Sequence, residues 1–259
     1  MLASAVPAPW PFYGFLLALA RVSGLVIFVP LPGIRQGLDF ARVVFTASIT
    51  ALLLPQWPRL QAVPSPGQLA GWLIQEAASG MAVGLAVAFF TEALLVAAQV
   101  IGLNAGYGYA SVIDPQTQAD SGVLLVLAQL VAGMLFFTLG FEREVIRIFA
   151  GSLATIPPEP TLQPARAAEL VVRLGAEALS TGFRLAMPVV ALLLMVDIVL
   201  ALLGRLNAQL QLLTLALPVK MLAVLLMLAW MAVLWPKLCG GYGNQALGVA
   251  RSLLFGGVR

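Results

Sequence analysis

The sequence has no histidine and a single cysteine, Cys239, in 259 residues, and charged side chains make up only 10% of it. Each shortage removes a class of chemistry. Without histidine there is no His-dependent triad, no imidazole general base and no haem–histidine ligation. With one cysteine there is no disulfide framework and no Cys/His zinc site. Fourteen Lys and Arg against eleven Asp and Glu leave a net charge of +3. That is too few basic groups, spread too thinly, for a phosphate-tracking surface, so nucleic acid is not an expected partner. A serine hydrolase would need a Gly-x-Ser-x-Gly elbow and a base, and neither is present. Asp114 and Asp197 lie in a loop and an apolar run without the Gly-x-Gly-Asp motif of an intramembrane aspartyl protease. The expectation is a protein that is not an enzyme and needs no metal or cofactor.

What the sequence has in excess is apolar surface: 61% of its residues are hydrophobic, against about 45–50% in soluble domains. Apolar runs of bilayer length decide the class, because about 20 helical residues at 1.5 Å each cross a core of roughly 30 Å. Such runs cover Trp10–Val29, a shorter Val43–Gln56, the 36-residue stretch Leu69–Asn104, Gly122–Phe141, Phe183–Leu203 and Leu212–Trp235. They show no period-two alternation, and backbone in lipid is satisfied only by helices or closed barrels. The predicted fold is therefore all-α: a polytopic integral membrane protein built of helical hairpins. Ala18-Leu19-Ala20 imitates a signal-peptide cleavage site. However, no basic residue precedes the run and Arg21 is followed at once by more apolar sequence, so the segment reads as the first membrane helix.

Basic residues set the expected orientation. If Leu69–Asn104 crosses twice or forms a sharply bent pair, an external N-terminus places Arg35, Arg42, Arg143, Arg147, Arg166, Arg173, Lys237, Arg251 and Arg259 in the cytoplasm. Only Arg59 and Arg205 then face out. A single crossing erases that bias, so two passes are expected.

The connectors divide the chain into residues 1–104 (N-terminal membrane helices), 105–121 (a glycine and aromatic loop) and 122–156 (a central helix and its return). Residues 157–182 form a proline-rich linker with an amphipathic helix, 183–236 a helical hairpin, and 237–259 a flexible basic tail. The linker has four prolines between Thr155 and Pro164 and is expected to be extended. After it, Arg166, Glu169, Arg173 and Glu177 share one helical face. In the tail, Gly240-Gly-Tyr-Gly reads as a flexible linker. The loop from Gly102 to Ser121 is the most distinctive segment. Gly102 and Gly106 form a small-xxx-small pair, consistent with tight helix packing, and Gly106-Tyr107-Gly108-Tyr109 then frees the backbone around two aromatics before Asp114-Pro115 stops it. Non-helical backbone at membrane depth is tolerated only inside protein or along a cavity, which points to a constriction or plug made from Tyr107, Tyr109, Val112 and Ile113.

Ionisable residues inside the runs are functional candidates by default. They are Arg21, Glu76, Glu92, Arg184, Asp197 and Lys220. Arg184 sits at a helix start, where it can snorkel. If the last hairpin turns near Asn207-Ala208, Asp197 and Lys220 lie level. They can then form an ion pair that fixes hairpin register or, alternatively, relay protons. Glu92 has no partner in its own segment, which leaves pairing with another subunit or proton handling open.

Three blocks together resemble the FliR family of type III secretion export-gate membrane proteins, flagellar and injectisomal. They are Leu19-Ala-Arg-Val-Ser-Gly24 with Pro30-Leu-Pro-Gly33 and Ala41-Arg42; Gly102 to Gln118; and Ala186-Met-Pro188 through Asp197, Gly204-Arg205 and Gln209 to Leu217-Pro-Val-Lys220. The resemblance implies a subunit in the bacterial inner membrane at the flagellar basal body. Such a subunit assembles with FliP-like and FliQ-like proteins into a gate projecting toward the periplasm, beside FlhB-like and FlhA-like components, and passes unfolded export substrates. It also implies that Gly106–Ile113 plugs the channel and that Ala186–Leu228 is a FliQ-like hairpin. The sequence departs from the family pattern at Val112, where an aromatic is expected, and at Ala208, Gln211 and Ala216, where proline, asparagine and glycine are expected. The competing reading is a small-solute or ion secondary transporter using Glu92 and the Asp197/Lys220 pair. It would call for inverted repeats, and none is visible.

Overall fold

The computed structural model describes residues 10–29, 40–58, 60, 63–107, 123–155, 164–206 and 212–255. These form eight α-helices and no strand: α1 (Trp10–Phe28), α2 (Phe40–Leu52), α3 (Pro66–Ala105), α4 (Val123–Thr138), α5 (Phe141–Thr155), α6 (Pro164–Leu206), α7 (Leu212–Met231) and α8 (Trp235–Phe255), with a single 3₁₀ turn at Leu54–Gln56. Helices α1, α3 and α6 are long and apolar enough to cross a membrane.

Local chemistry sets the ends of α3. Ser65 Oγ accepts from the Gln68 N–H at 3.3 Å and Gln68 Oε1 accepts from the Ser65 N–H at 3.0 Å, a reciprocal capping box with Pro66 as the first helical residue. At the other end Gly106 takes φ of +85°. The Tyr107 N–H then reaches back to the Gly102 carbonyl at 3.0 Å and the Gly106 N–H to that of Leu103 at 3.4 Å, a Schellman stop. Between these ends the helix is unbroken for 40 residues, about 60 Å. This corrects the expectation of two passes or a bent pair within Leu69–Asn104: no proline and no polar turn interrupts the run, so nothing forces the backbone out of helix. The basic-residue count that favoured two crossings falls with it.

Two further boundaries change. The charged face at Arg166–Glu177 and the apolar run Phe183–Leu203 are one helix of 43 residues, α6, which passes through Pro188 without ending. The separate amphipathic helix and hairpin arm are therefore a single element. The expected flexible tail is the helix α8. Its Cys239, Tyr242, Ala246, Ala250, Leu253 and Leu254 are buried and recur at helical spacing, and that burial outweighs the propensity cost of its glycines.

The chain divides into two compact units, Met1–Phe89 with Gly140–Leu174 and Gly243–Arg259, and Phe90–Leu139 with Gly175–Tyr242. In the first, α1 and α3 meet backbone to backbone. A Cβ on Gly24 would collide with the Ala77 carbonyl, one on Gly80 with the Arg21 carbonyl, and one on Gly84 would lie 2.7 Å from the Leu25 carbonyl. Gly80-xxx-Gly84 is thus the chain's small-xxx-small contact. In the second unit Ala97, Ala98 and Ile101 of α3 pack with Ala186, Val189 and Leu193 of α6 and Val224 of α7. Little of that unit's apolar surface is consumed inside it: 17% of the most apolar stretch of α6 is buried, against 61% for α3. Met187, Leu194, Met195 and Val199 of α6 and Leu222, Leu226 and Trp230 of α7 are all exposed. A hairpin apolar on every face needs lipid or other chains to cover it.

Candidate functional site

The charged residues inside the apolar helices are where chemistry is possible, and the structure disposes of them differently. Asp197 lies nine residues before the end of α6 and Lys220 eight residues into α7. The antiparallel arms bring Lys220 Nζ to 2.5 Å from Asp197 Oδ1. Lys220 is 17% exposed and Asp197 52%, so the carboxylate stands at the open edge of the pair. Arg184, on the same helix, is exposed.

Glu76 is engaged in a contact that no spacing rule connects. The Arg21 guanidinium of α1 donates from Nε to Glu76 Oε2 and from Nη2 to Oε1 at 2.7 Å, while Nη1 donates to Ser152 Oγ of α5 at 3.0 Å. Arg21, Glu76 and Ser152 are 3%, 4% and 0% exposed. Ser152 in turn donates to the Phe149 carbonyl at 2.7 Å. A bidentate guanidinium–carboxylate pair is the strongest form such a contact takes. With the glycine crossing beside it, this one fixes both the distance and the register of α1 on α3. In the sequence Arg21 and Glu76 stand out as charges within apolar runs, with nothing local to join them. The available signal was Gly80-xxx-Gly84, one turn beyond Glu76.

Arg42, which the count of basic residues places on the cytoplasmic side, is buried. Its guanidinium donates to the carbonyls of Val26, Ile27 at 2.8 Å and Val29 at 3.3 Å. A cation there satisfies carbonyls that the end of α1 leaves without intrahelical partners and meets the negative end of its dipole.

Glu92 is half-buried on α3 with no hydrogen bond or ion pair among the described residues. Of the expected plug, Gly106 and Tyr107 are described. Gly106 is the left-handed stop of α3, where a Cβ would press to 2.5 Å on Leu217 of α7, and the Tyr107 hydroxyl donates to the Met221 carbonyl at 3.4 Å. Gly102 does not pack tightly, since a Cβ there meets only Leu124 at 3.8 Å, so Gly102/Gly106 is a helix terminus rather than a packing pair. Gly108, Tyr109, Val112 and Ile113 lie outside the described residues. Among the described residues no three His, Cys, Asp or Glu side chains gather into a set that could hold a metal.

Comparison with known proteins supplies a family. The chain is 27% identical over 220 residues to the Flagellar biosynthetic protein FliR of Escherichia coli, covering 84% of each chain. It is 26% identical over 228 residues to the protein of that name from Pectobacterium carotovorum, covering 88% of this chain and 84% of the relative. Against that of Bacillus subtilis the figures are 24% over 220 residues, 84% and 85%. The family described as "Bacterial export proteins, family 1" matches residues 12–245. A match over nearly the whole chain, together with helices apolar enough to span a bilayer, settles the assignment: this chain belongs to the bacterial export proteins, family 1.

Proposed function

We propose that the chain is a membrane subunit of the flagellar type III protein export gate, without enzymatic activity of its own. In this reading it assembles with FliP-like and FliQ-like subunits in the inner membrane into a channel for unfolded export substrates. FlhB-like and FlhA-like proteins act beside it, and the gate projects toward the periplasm. The observation that carries this reading is the α6–α7 hairpin, apolar on all faces, scarcely buried by its own chain and pinned in register by Asp197 and Lys220. Such a hairpin is built to be packed by other helices. The family match and the FliR name of the relatives agree with it.

The plug is the segment Gly106–Ile113. Its glycines permit a tight approach to an axis, while Tyr107, Tyr109, Val112 and Ile113 supply bulk. A hydrophobic constriction excludes ions by dewetting yet parts for a peptide, because no strong bond has to break. Replacing Tyr109 and Val112 together by glycine is expected to leave co-purification with FliP-like and FliQ-like subunits intact while cells carrying the complex leak small ions. Normal assembly with unchanged permeability refutes the plug. Failure of the wild-type chain to associate with those subunits refutes the gate.

A further inference from the structure

Glu92 is a half-buried acidic group on an apolar helix with no partner among the described residues. Glu76 is held by Arg21 and Asp197 by Lys220, whereas Glu92 has no counter-charge or donor among the described residues. It is not alone on its face. Glu92, Leu95, Gln99 and Leu103 follow at spacings of three, four and four, which places them on one stripe of α3. The first two are half-buried, Gln99 is exposed, and Leu103 is 77% exposed. A carboxylate and an amide on the open face of an apolar helix are costly against lipid. Two copies related by an axis along the membrane normal would run their α3 helices parallel and set Glu92 level with Glu92.

Resting on the gate reading, we propose that this stripe is the docking face for an apolar helix of a different membrane subunit, which carries a lysine or arginine opposite Glu92. The cation answers the carboxylate, the Gln99 amide hydrogen-bonds one to two turns further along, and Leu95 and Leu103 pack against the partner's apolar side chains. Charge decides which helix seats here, and apolar contact seals it.

The test places a photo-crosslinking amino acid at position 99 of the full chain, expressed with its membrane partners, and identifies the peptide captured. The expected adduct joins position 99 to an apolar helix of another subunit with a Lys or Arg within two turns of the linked residue. Glu92→Lys is expected to reduce that adduct about tenfold or more, and exchanging the partner's basic residue for Glu to restore it. Should the Glu92→Lys chain not accumulate in the membrane, Glu92→Gln is compared in its place, with a smaller loss of the adduct, and exchanging the partner's basic residue for Gln or Leu is the change expected to restore it. An adduct to lipid or to a second copy, a captured peptide without a basic residue, or no rescue by the exchanged charge overturns the proposal. If FliP-like and FliQ-like subunits still co-purify in that case, the docking face has failed and the gate has not. Charge rescue on a chain outside the export apparatus has the opposite meaning.

Discussion

Replacing Glu76 by Gln tests the buried contact that organises the first unit. The change preserves the shape of the side chain and removes the charge that faces Arg21, leaving a guanidinium 3% exposed with Ser152 and an amide as its partners. Breaking a buried ion pair from one side costs about 3–5 kcal/mol, because the surviving charge stays out of water. At about 2–4 °C per kcal/mol for a chain of this order of size, the thermal midpoint falls by roughly 6–20 °C. Removing both partners, as Arg21→Met with Glu76→Leu, leaves no orphaned charge. Ser152 keeps its bond to the Phe149 carbonyl, so the double variant lies close to the wild type. The measurement is unfolding of the full chain in mild detergent, followed by tryptophan fluorescence and checked by resistance to protease. A shift below about 2 °C for Glu76→Gln, or a double variant no better than the single, refutes the argument that the pair's charges are desolvated and mutually dependent.

Asp197→Lys is expected to impair insertion and assembly, and Lys220→Asp added to it to recover much of the loss; equal yields of single and double variants in membrane fractions would show that the two do not act as a pair. Gly80→Ala places a methyl against the Arg21 carbonyl, a backbone atom that cannot swing away, so it destabilises by several times the few tenths of a kcal/mol typical of an exposed site. Gly67→Ala, with open space around it, serves as the control in the same thermal assay. Gly106→Ala costs about 1–2 kcal/mol from the left-handed backbone alone, since the Leu217 methyl it meets can rotate, and is read as a lower midpoint in the same thermal assay.

The helices were legible because bilayer-length apolar runs leave the backbone one economical choice. Their lengths were not. The division of α3 into two passes rested on counting arginines, and a count does not see that one of them, Arg42, is buried against carbonyls at the end of α1. A residue's use as an anchor or a cap depends on what packs beside it, and composition does not carry that. The glycines at 240, 241 and 243 spoke for a linker on propensity, while Tyr242, Ala246, Ala250 and Leu253 spoke for a helix on period; burial decided for the period. The level placement of Asp197 and Lys220 follows from counting out from a turn, an operation local to one hairpin. Arg21 and Glu76 are 55 residues apart in different helices, and only the crossing at Gly24, Gly80 and Gly84 relates them.

The two units divide the chain's perturbations into two kinds. In the first, the buried guanidinium groups are satisfied from within: Arg21 by Glu76 and Ser152, and Arg42 by carbonyls at the end of α1. A substitution there acts on the stability of the isolated chain, whatever else is present. In the second, Asp197 is half exposed, Glu92 has no partner among the described residues, and the apolar faces of α6 and α7 are open. Lys220 answers Asp197 within the chain, but at half exposure that pair is screened by solvent. Its full energy, like that of the open apolar faces, is realised when something covers it, so substitutions here act largely through association and their effects scale with partner concentration. Glu76→Gln should therefore lower the midpoint equally with and without co-expressed subunits, whereas Asp197→Lys should lower the stability of the complex far more than that of the chain alone. The contrast is measurable as the difference between two melting curves for each variant. If Asp197→Lys costs the isolated chain as much as it costs the complex, the second unit is complete by itself and its apolar faces need only lipid.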